Sequence, residues 1–97
     1  MLVLITYDVS VVSYAGQTRL RHIAKTCLDY GVRVQNSVFE CEVDPGQFVV
    51  LKNKLIDIYN PSEDSLRFYF LGKNGRKRVE HLGAKSVQDP VRGALIF

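Results

Sequence analysis

The chain has 97 residues, of which 46% are apolar, so it has the size of one globular domain and is too short for two independent cores. Thirteen Lys and Arg residues against ten Asp and Glu residues give a formal net charge of +3. This mildly basic balance allows a nucleic-acid partner without requiring one.

Membrane and disulfide classes are disfavoured by the sequence. The apolar run Leu2–Ile5 is far shorter than the roughly 20 residues of a transmembrane helix, and no basic and apolar leader opens the chain. We therefore predict a cytoplasmic protein that has no membrane partner. The two cysteines, Cys27 and Cys41, lack the spacing of a zinc site or a redox pair, so both are predicted to be reduced core residues.

The first half of the chain predicts a strand, a helix and two further strands. Residues 2–5 form a β-branched-rich run that predicts a central strand ending at Tyr7 and Asp8. From residue 15 onward, apolar residues recur with the spacing of one helical face. Residues 32–35 and 38–43 are predicted to form two short strands, joined as a hairpin or a bent pair.

The second half predicts another helix and another strand. Asp44 followed by Pro45 is typical of an N-cap and the first position of a helix, and Asn60-Pro61 predicts where this helix ends. Leu66, Phe68 and Phe70 alternate with their neighbours, which predicts a strand with three large apolar side chains on one face.

The predicted order β-α-β-β-α-β is that of a ferredoxin-like α+β fold, with both helices on one face of an antiparallel sheet. We predict a single domain over residues 1–97, with a core at 1–71 and a C-terminal dimerisation segment at 72–97. The four apolar residues Ala94–Phe97 need a burial site, so we expect them to form an edge strand, added to the sheet of a second copy.

Candidate catalytic groups are few within one chain. An aspartate after a buried strand, such as Asp8, caps a turn more often than it binds a metal. His22 is predicted on the polar side of the first helix and His81 in a polar tail, so both are expected to be solvated. The sequence contains no pair of carboxylates at metal-ligand spacing, no nucleophile elbow and no phosphate-binding loop.

The basic residues are better organised than the acidic ones. Arg19 and Arg21 flank the apolar stripe of the first helix, and Arg33 opens the next strand. Lys73, Arg76, Lys77 and Arg78 form a compact cluster, for which a solvated surface and a phosphate-binding surface are equally reasonable. An RNA-recognition module is disfavoured, because residues 33–39 contain a single aromatic residue.

Four motifs in this order resemble CRISPR-associated protein 2. They are Tyr7-Asp8-Val9-Ser10, Arg19-Leu20-Arg21, the run from Arg33 to Glu40, and Asp64-Ser65-Leu66-Arg67-Phe68-Tyr69. The agreement extends over residues 1–71, and the segments 79–83 and 95–97 are similar to those of one subtype of that family. The resemblance implies a ferredoxin-like homodimer that exchanges its C-terminal strands.

The resemblance also implies a site. Asp8 matches the metal-associated aspartate of the family, so two copies of Asp8 would face each other and share a Mg²⁺ ion for phosphodiester hydrolysis. Tyr7, Arg19, Arg21, Arg33 and Phe39 match positions that the family associates with activity. Arg19 and Arg21, together with Lys73, Arg76, Lys77 and Arg78, are the expected nucleic-acid-binding residues.

The resemblance leaves several functions open. The first is a Mg²⁺-dependent endonuclease of single-stranded RNA or double-stranded DNA that also serves as the dimeric centre of a spacer-acquisition complex with CRISPR-associated protein 1. The second is a DNA-binding scaffold without catalysis, and the third is a VapD-like toxin ribonuclease with the same fold.

Overall fold

The computed structural model describes residues 1–72 and 77–84, without the side chains of residues 77 and 78. This part of the chain forms a five-stranded sheet and two helices. In chain order they are β1 Leu2–Asp8, α1 Tyr14–Leu28, β2 Gly31–Gln35, β3 Val38–Glu42, α2 Pro45–Ile58, β4 Ser65–Leu71 and β5 Lys77–Gly83.

The strands lie in the order β2-β3-β1-β4-β5, and every neighbouring pair is antiparallel. The first four strands have the order expected of a ferredoxin-like fold, which confirms the predicted α+β class. β1 pairs with β3 on one side and with β4 on the other, so the prediction that it is central is also confirmed.

The fifth strand is the main departure from the prediction. Sequence patterns gave no strand at residues 77–83, yet β5 pairs along its whole length with β4 of the same chain. The alternation there is weak because β5, the outermost of the described strands on its side of the sheet, combines charged and apolar residues. The sheet thus continues past residue 71, whereas the predicted edge strand at Ala94–Phe97 lies outside the described residues, as does its exchange with a second copy.

Both helices begin at side-chain caps. Ser13 Oγ accepts a hydrogen bond of 3.0 Å from the Gly16 amide at the start of α1. At α2, Asp44 and Gln47 form a reciprocal capping box, and Pro45 occupies the first turn, as the sequence predicted. These caps satisfy amide groups that would otherwise lack partners at the helix ends.

The hydrophobic core lies between the helices and one face of the sheet. Val3, Ile5 and Tyr7 of β1 point into it, and they meet side chains from both helices and from β3 and β4. The other buried members are Val9, Ile23, Cys27, Phe39, Cys41, Val43, Phe48, Leu51, Leu55, Leu66, Phe68 and Phe70. Fully burying one such side chain stabilises the fold by about 1.5–3 kcal/mol relative to exposure.

Both cysteines belong to this core and are unpaired thiols, as predicted. Burial raises the pKa of Cys27 to about 12 and that of Cys41 to about 11, so both stay protonated and unreactive at neutral pH. In the described part of the chain, neither helix is long and apolar enough to cross a bilayer.

Candidate functional site

Consecutive residues at the end of β1 point to opposite faces of the sheet. Tyr7 is buried in the core under the helices, whereas Asp8 is exposed and lies on the other face. This second face, which the helices do not cover, we call the open face. Tyr7 and Asp8 therefore cannot act from one side of the same reacting group.

A cavity of about 170 Å³ lies beside Asp8, and we call it the Asp8 cavity. Strand register brings its polar groups together, because Ser65 of β4 is opposite Asp8 and Arg67 is opposite Thr6. The cavity is lined by Thr6, Tyr7, Asp8, Ser65 and Arg67. One carboxylate, two hydroxyls and one guanidinium thus surround a space large enough for a phosphate group.

One chain supplies few metal ligands at this place. No group of three or more His, Cys, Asp or Glu side chains suited to a metal ion occurs among the residues that the structure describes. The Asp8 carboxylate and the hydroxyls of Thr6 and Ser65 are hard oxygen donors, the type that Mg²⁺ prefers. The donor type fits Mg²⁺, but a second carboxylate has to come from outside the described residues.

Tyr7 belongs to a separate arrangement on the helix side of the sheet. Its ring stacks on Phe39 at 6.0 Å between centroids, and the guanidinium of Arg33 lies 5.1 Å from the Phe39 ring centre. The Tyr7 hydroxyl donates a 3.3 Å hydrogen bond to the carbonyl of Asn36. Burial raises the pKa of Tyr7 above its ordinary value of 10, although a hydrogen bond with Arg33 acts in the opposite direction, so the phenol stays protonated.

A second cavity of about 380 Å³ opens next to Tyr7, and we call it the Tyr7 pocket. Arg21 of α1 and Arg33 of β2 are both exposed at its rim. Its other lining residues are Leu20, Ala24, Asn36 and Ser37. Of the six residues predicted to act together, Tyr7, Arg21, Arg33 and Phe39 therefore form one group, and Asp8 belongs to another.

Arg19 belongs to neither cavity, because a buried aspartate holds it. Its Nε donates to Asp64 Oδ2 at 2.8 Å, and its terminal nitrogen reaches Glu63 at 3.4 Å. The Asp64 side chain also accepts hydrogen bonds from the backbone amides of Ser10 and Asn60, at 3.1 and 2.9 Å. We call this group of Ser10, Arg19, Asn60 and Asp64 the Asp64 corner.

The Asp64 carboxylate is ionised in the folded protein. Burial alone would raise its pKa, but the hydrogen bonds from Arg19, Asn60 and Ser10 and the charge of Arg19 together lower it. Sequence reasoning assigned no role to Asp64, although it opens the fourth resembling motif. A single aspartate before a strand carries no signal that distinguishes a buried acceptor of three donors from a solvated turn residue.

The two histidines differ in their surroundings. His22 is exposed on α1, as predicted. The expectation for His81 is wrong, because it lies half-buried in β5, opposite Arg67, and its buried Nε2 has no hydrogen-bond partner among the residues that the structure describes. Burial, and then the charge of Arg67, lowers the pKa of His81, so its ring is neutral at pH 7. The error follows from the missed strand β5.

The predicted basic cluster is only partly within the described chain. Lys77 and Arg78 open β5, where they pair through the backbone with Leu71 and Phe70 of β4. Lys73 and Arg76 lie outside the described residues, so the cluster stays a prediction.

The sequence family follows from direct comparison. Residues 1–79 match the model of the family described as CRISPR associated protein Cas2. The chain belongs to the Cas2 family. This membership agrees with the resemblance carried by the four motifs and disfavours the VapD-like toxin.

Individual Cas2 proteins are similar over nearly the whole chain. A protein of Chlorobaculum tepidum named CRISPR-associated endoribonuclease Cas2 is 60% identical over all 97 residues of both chains. One of Halalkalibacterium halodurans named CRISPR-associated endonuclease Cas2 is 53% identical and covers 94% of this chain and 98% of its own. The crystal structure of Streptococcus pyogenes Cas2 at pH 6.5 is 59% identical, with a TM-score of 0.71, over 76% of this chain and 89% of that one.

Proposed function

We propose that this Cas2-family chain is a metal-dependent endonuclease that hydrolyses phosphodiester bonds of RNA or double-stranded DNA. The observation that carries the proposal is the Asp8 cavity, in which a carboxylate, two hydroxyls and a guanidinium surround a space of about 170 Å³. The names of the relatives from Chlorobaculum tepidum and Halalkalibacterium halodurans support nuclease chemistry, and they differ between endoribonuclease and endonuclease.

The active unit in this proposal is a homodimer with one Asp8 from each copy. A single exposed carboxylate is a poor cage for a divalent cation, so two copies of Asp8 would hold one Mg²⁺ between them. When bound, Mg²⁺ would lower the pKa of a water molecule and screen the charge of the phosphate. Ser65 and Thr6 are hydrogen-bond donors that orient the phosphate beside Asp8.

The other predicted residues act farther from the reacting phosphate in this proposal. Arg21 and Arg33 are exposed at the Tyr7 pocket, where they are able to bind other phosphates of the same strand. Tyr7 and Phe39 support Arg33, because the Phe39 ring contacts both the Tyr7 ring and the Arg33 guanidinium. Arg19 stabilises the loop that follows Asp8 through its ion pair with Asp64.

The test is the substitution Asp8→Asn, which removes the charge and keeps the shape. We expect the variant to lose Mg²⁺-dependent cleavage of single-stranded RNA and double-stranded DNA by at least about 100-fold. Its melting temperature should stay within about two degrees of the wild type, because Asp8 is exposed. The exposed Asp57→Asn in α2 is the matched control and should cleave normally.

One result would contradict the nuclease proposal, and another would contradict the shared site of the dimer. Unchanged cleavage by Asp8→Asn would attribute the activity to a contaminating nuclease. A chain that light scattering shows to be a monomer at micromolar concentration, and that still cleaves, would remove the role of a second Asp8.

A second function, as the dimeric scaffold that holds duplex DNA for CRISPR-associated protein 1 during spacer acquisition, is supported by the exposed arginines. Within the described ranges, neither Arg21 nor Arg33 has a carboxylate within 4.0 Å, so both charges are available to phosphates. The logarithm of the duplex association constant should therefore fall by about 0.9 for each phosphate contact when the salt concentration rises tenfold. The affinity should be nearly independent of base sequence.

One integration assay separates the scaffold from the nuclease. We expect Asp8→Asn to support integration of DNA ends by CRISPR-associated protein 1 at nearly the wild-type rate. Charge reversal at Arg76, Lys77 and Arg78 should weaken duplex binding and integration together, and Lys25→Glu on α1 serves as a single-charge control. Failure of Asp8→Asn to support integration, with duplex and partner still bound, would make metal chemistry part of the cellular role.

A further inference from the structure

Arg67 lies on the open face, and its surroundings differ from those of Arg19, which is also only partly exposed. Arg67 is half-buried in β4 and lines the Asp8 cavity, and its only hydrogen bond within the described ranges is a long one, 3.5 Å, to the Tyr69 hydroxyl. Across those same ranges no carboxylate lies within 4.0 Å of its guanidinium, whereas Arg19 has two. A half-buried guanidinium that forms no ion pair with a described carboxylate favours the binding of an anion.

The neighbour of Arg67 on β5 supports this interpretation. His81 lies directly opposite Arg67 in the strand register, and its ring is neutral at pH 7. A carboxylate at this position would pair with the guanidinium as Asp64 pairs with Arg19. The neutral imidazole leaves the charge of Arg67 available to the Asp8 cavity.

We propose that Arg67 binds a non-bridging oxygen of the phosphodiester held at the Asp8 cavity, and that His81 is a positioning residue that keeps this guanidinium unneutralised. The ligand class is a phosphate oxyanion of a nucleic-acid strand. As the phosphate becomes more negative in the transition state, its attraction to the fixed guanidinium of Arg67 increases. The proposal rests on the nuclease function proposed above.

A binding experiment tests the subsite without any cleavage. The chain has two histidines, so nuclear magnetic resonance of the imidazole rings gives two sets of signals, which His22→Gln assigns. Titration with inorganic phosphate should shift the His81 signals and raise the pKa of His81, because a bound anion offsets the charge of Arg67. The His22 signals should move little, and Arg67→Gln should weaken the effect on His81 by at least about tenfold.

Kinetics on a single-stranded RNA oligonucleotide with Mg²⁺ provide the second measurement. Arg67→Gln should lower kcat/KM by about 100-fold, and Arg67→Lys should recover part of the loss. His81→Glu supplies a carboxylate opposite Arg67 and should reproduce the defect of Arg67→Gln. His81→Gln, which is neutral, should stay within about threefold of the wild type, and His22→Gln is the control for an exposed histidine.

The outcomes distinguish the subsite from the nuclease proposal. Normal cleavage by folded Arg67→Gln, or by His81→Glu, would overturn the role of Arg67 and leave the nuclease proposal intact. A His81 signal that phosphate does not move would also overturn it. The wild-type protein could also cleave no substrate while phosphate shifts its His81 signals in a way that depends on Arg67. That result would contradict the nuclease proposal and support the anion subsite.

Discussion

The Asp64 corner and the Asp8 cavity lie at the same end of the sheet, but they differ in whether their charged side chains form ion pairs. In the corner, one buried carboxylate receives donors from Ser10, Arg19 and Asn60. In the cavity, and within the described ranges, Arg67 has no carboxylate within 4.0 Å and the Nε2 atom of the adjacent His81 has no hydrogen-bond partner. The paired charge of the corner stabilises the fold, whereas the charge of Arg67 is the one that we propose to bind a ligand.

The largest expected effect on stability follows from removing the carboxylate of the corner. Asp64→Ala leaves three donors without their acceptor, so we expect the free energy of unfolding to fall by about 2–4 kcal/mol. Urea denaturation of Asp64→Ala and of the exposed control Asp57→Ala measures the difference. If both variants lose the same small amount, the corner is not the structural centre of this end of the sheet.

A smaller effect is expected where α1 touches the loop after Asp8. A methyl group on Gly16 would collide with the backbone carbonyl of Ser10, whose amide donates to Asp64. Gly16→Ala should therefore reduce the free energy of unfolding by about 1–3 kcal/mol. Gly46→Ala in α2 is the matched control, because its methyl would meet Asp44 Oδ1 at 3.4 Å only, and it should leave stability unchanged or raise it slightly.

The free energy of unfolding should depend on pH in two separate ranges, one set by Asp64 of the corner and one set by His81 beside the cavity. The pKa of Asp64 is lowered from its ordinary 3.8, so its contribution is present above that pH and is lost as the pH falls through the folded value. The pKa of His81 is lowered from 6.5, so the unfolded state takes up a proton first and stability declines as the pH falls below about 6.5.

Denaturation curves at several pH values measure both windows. His81→Gln should flatten the decline that begins near pH 6.5, and Asp64→Asn should flatten the one that begins below about pH 4. A decline between pH 7 and 5 that His81→Gln leaves unchanged would mean that the ring is not desolvated beside Arg67.

The smallest effect concerns an ion pair outside both regions. Lys52 Nζ of α2 lies 2.8 Å from Glu80 Oε1 of β5, and both side chains are partly exposed. Such a pair contributes about 0–1 kcal/mol, so Glu80→Gln should change the urea midpoint only slightly. A loss as large as that of Asp64→Ala would contradict the view that burial of the carboxylate is what makes the corner strong.

Much of the fold could be predicted because its elements have strong local signals. The alternation at Leu66, Phe68 and Phe70 and the Asp44-Pro45 cap are properties of neighbouring residues, and the structure confirms both. β5 escaped prediction because an edge strand needs no continuous apolar face. Its pairing depends on the backbone of β4, which the sequence of residues 77–83 does not encode by itself.

The sequence did not indicate which of the candidate site residues lie together in the structure, and the reason is geometric. The resemblance assigned Tyr7 and Asp8, which are neighbours in sequence, to one site. Strand alternation places their side chains on opposite faces of the sheet. Arg19 and Arg21 lie on the same helix and carry the same charge. They differ in that Arg19 is held by the distant Asp64, which the sequence did not indicate. A contact between residues that are 45 positions apart, such as Arg19 and Asp64, cannot be predicted from the pattern of neighbouring residues.

The central position of β1 constrains how the chain folds during synthesis. β1 is made before the strands that pair with it, and its partner β4 and the Asp64 side chain that contacts Ser10 lie more than 50 residues later in the chain. Until residue 71 has left the ribosome, one edge of β1 is therefore unpaired and its apolar side chains are incompletely covered. We expect the nascent protein to pass through an aggregation-prone stage, which ends only after β4 has been synthesised and pairs with β1.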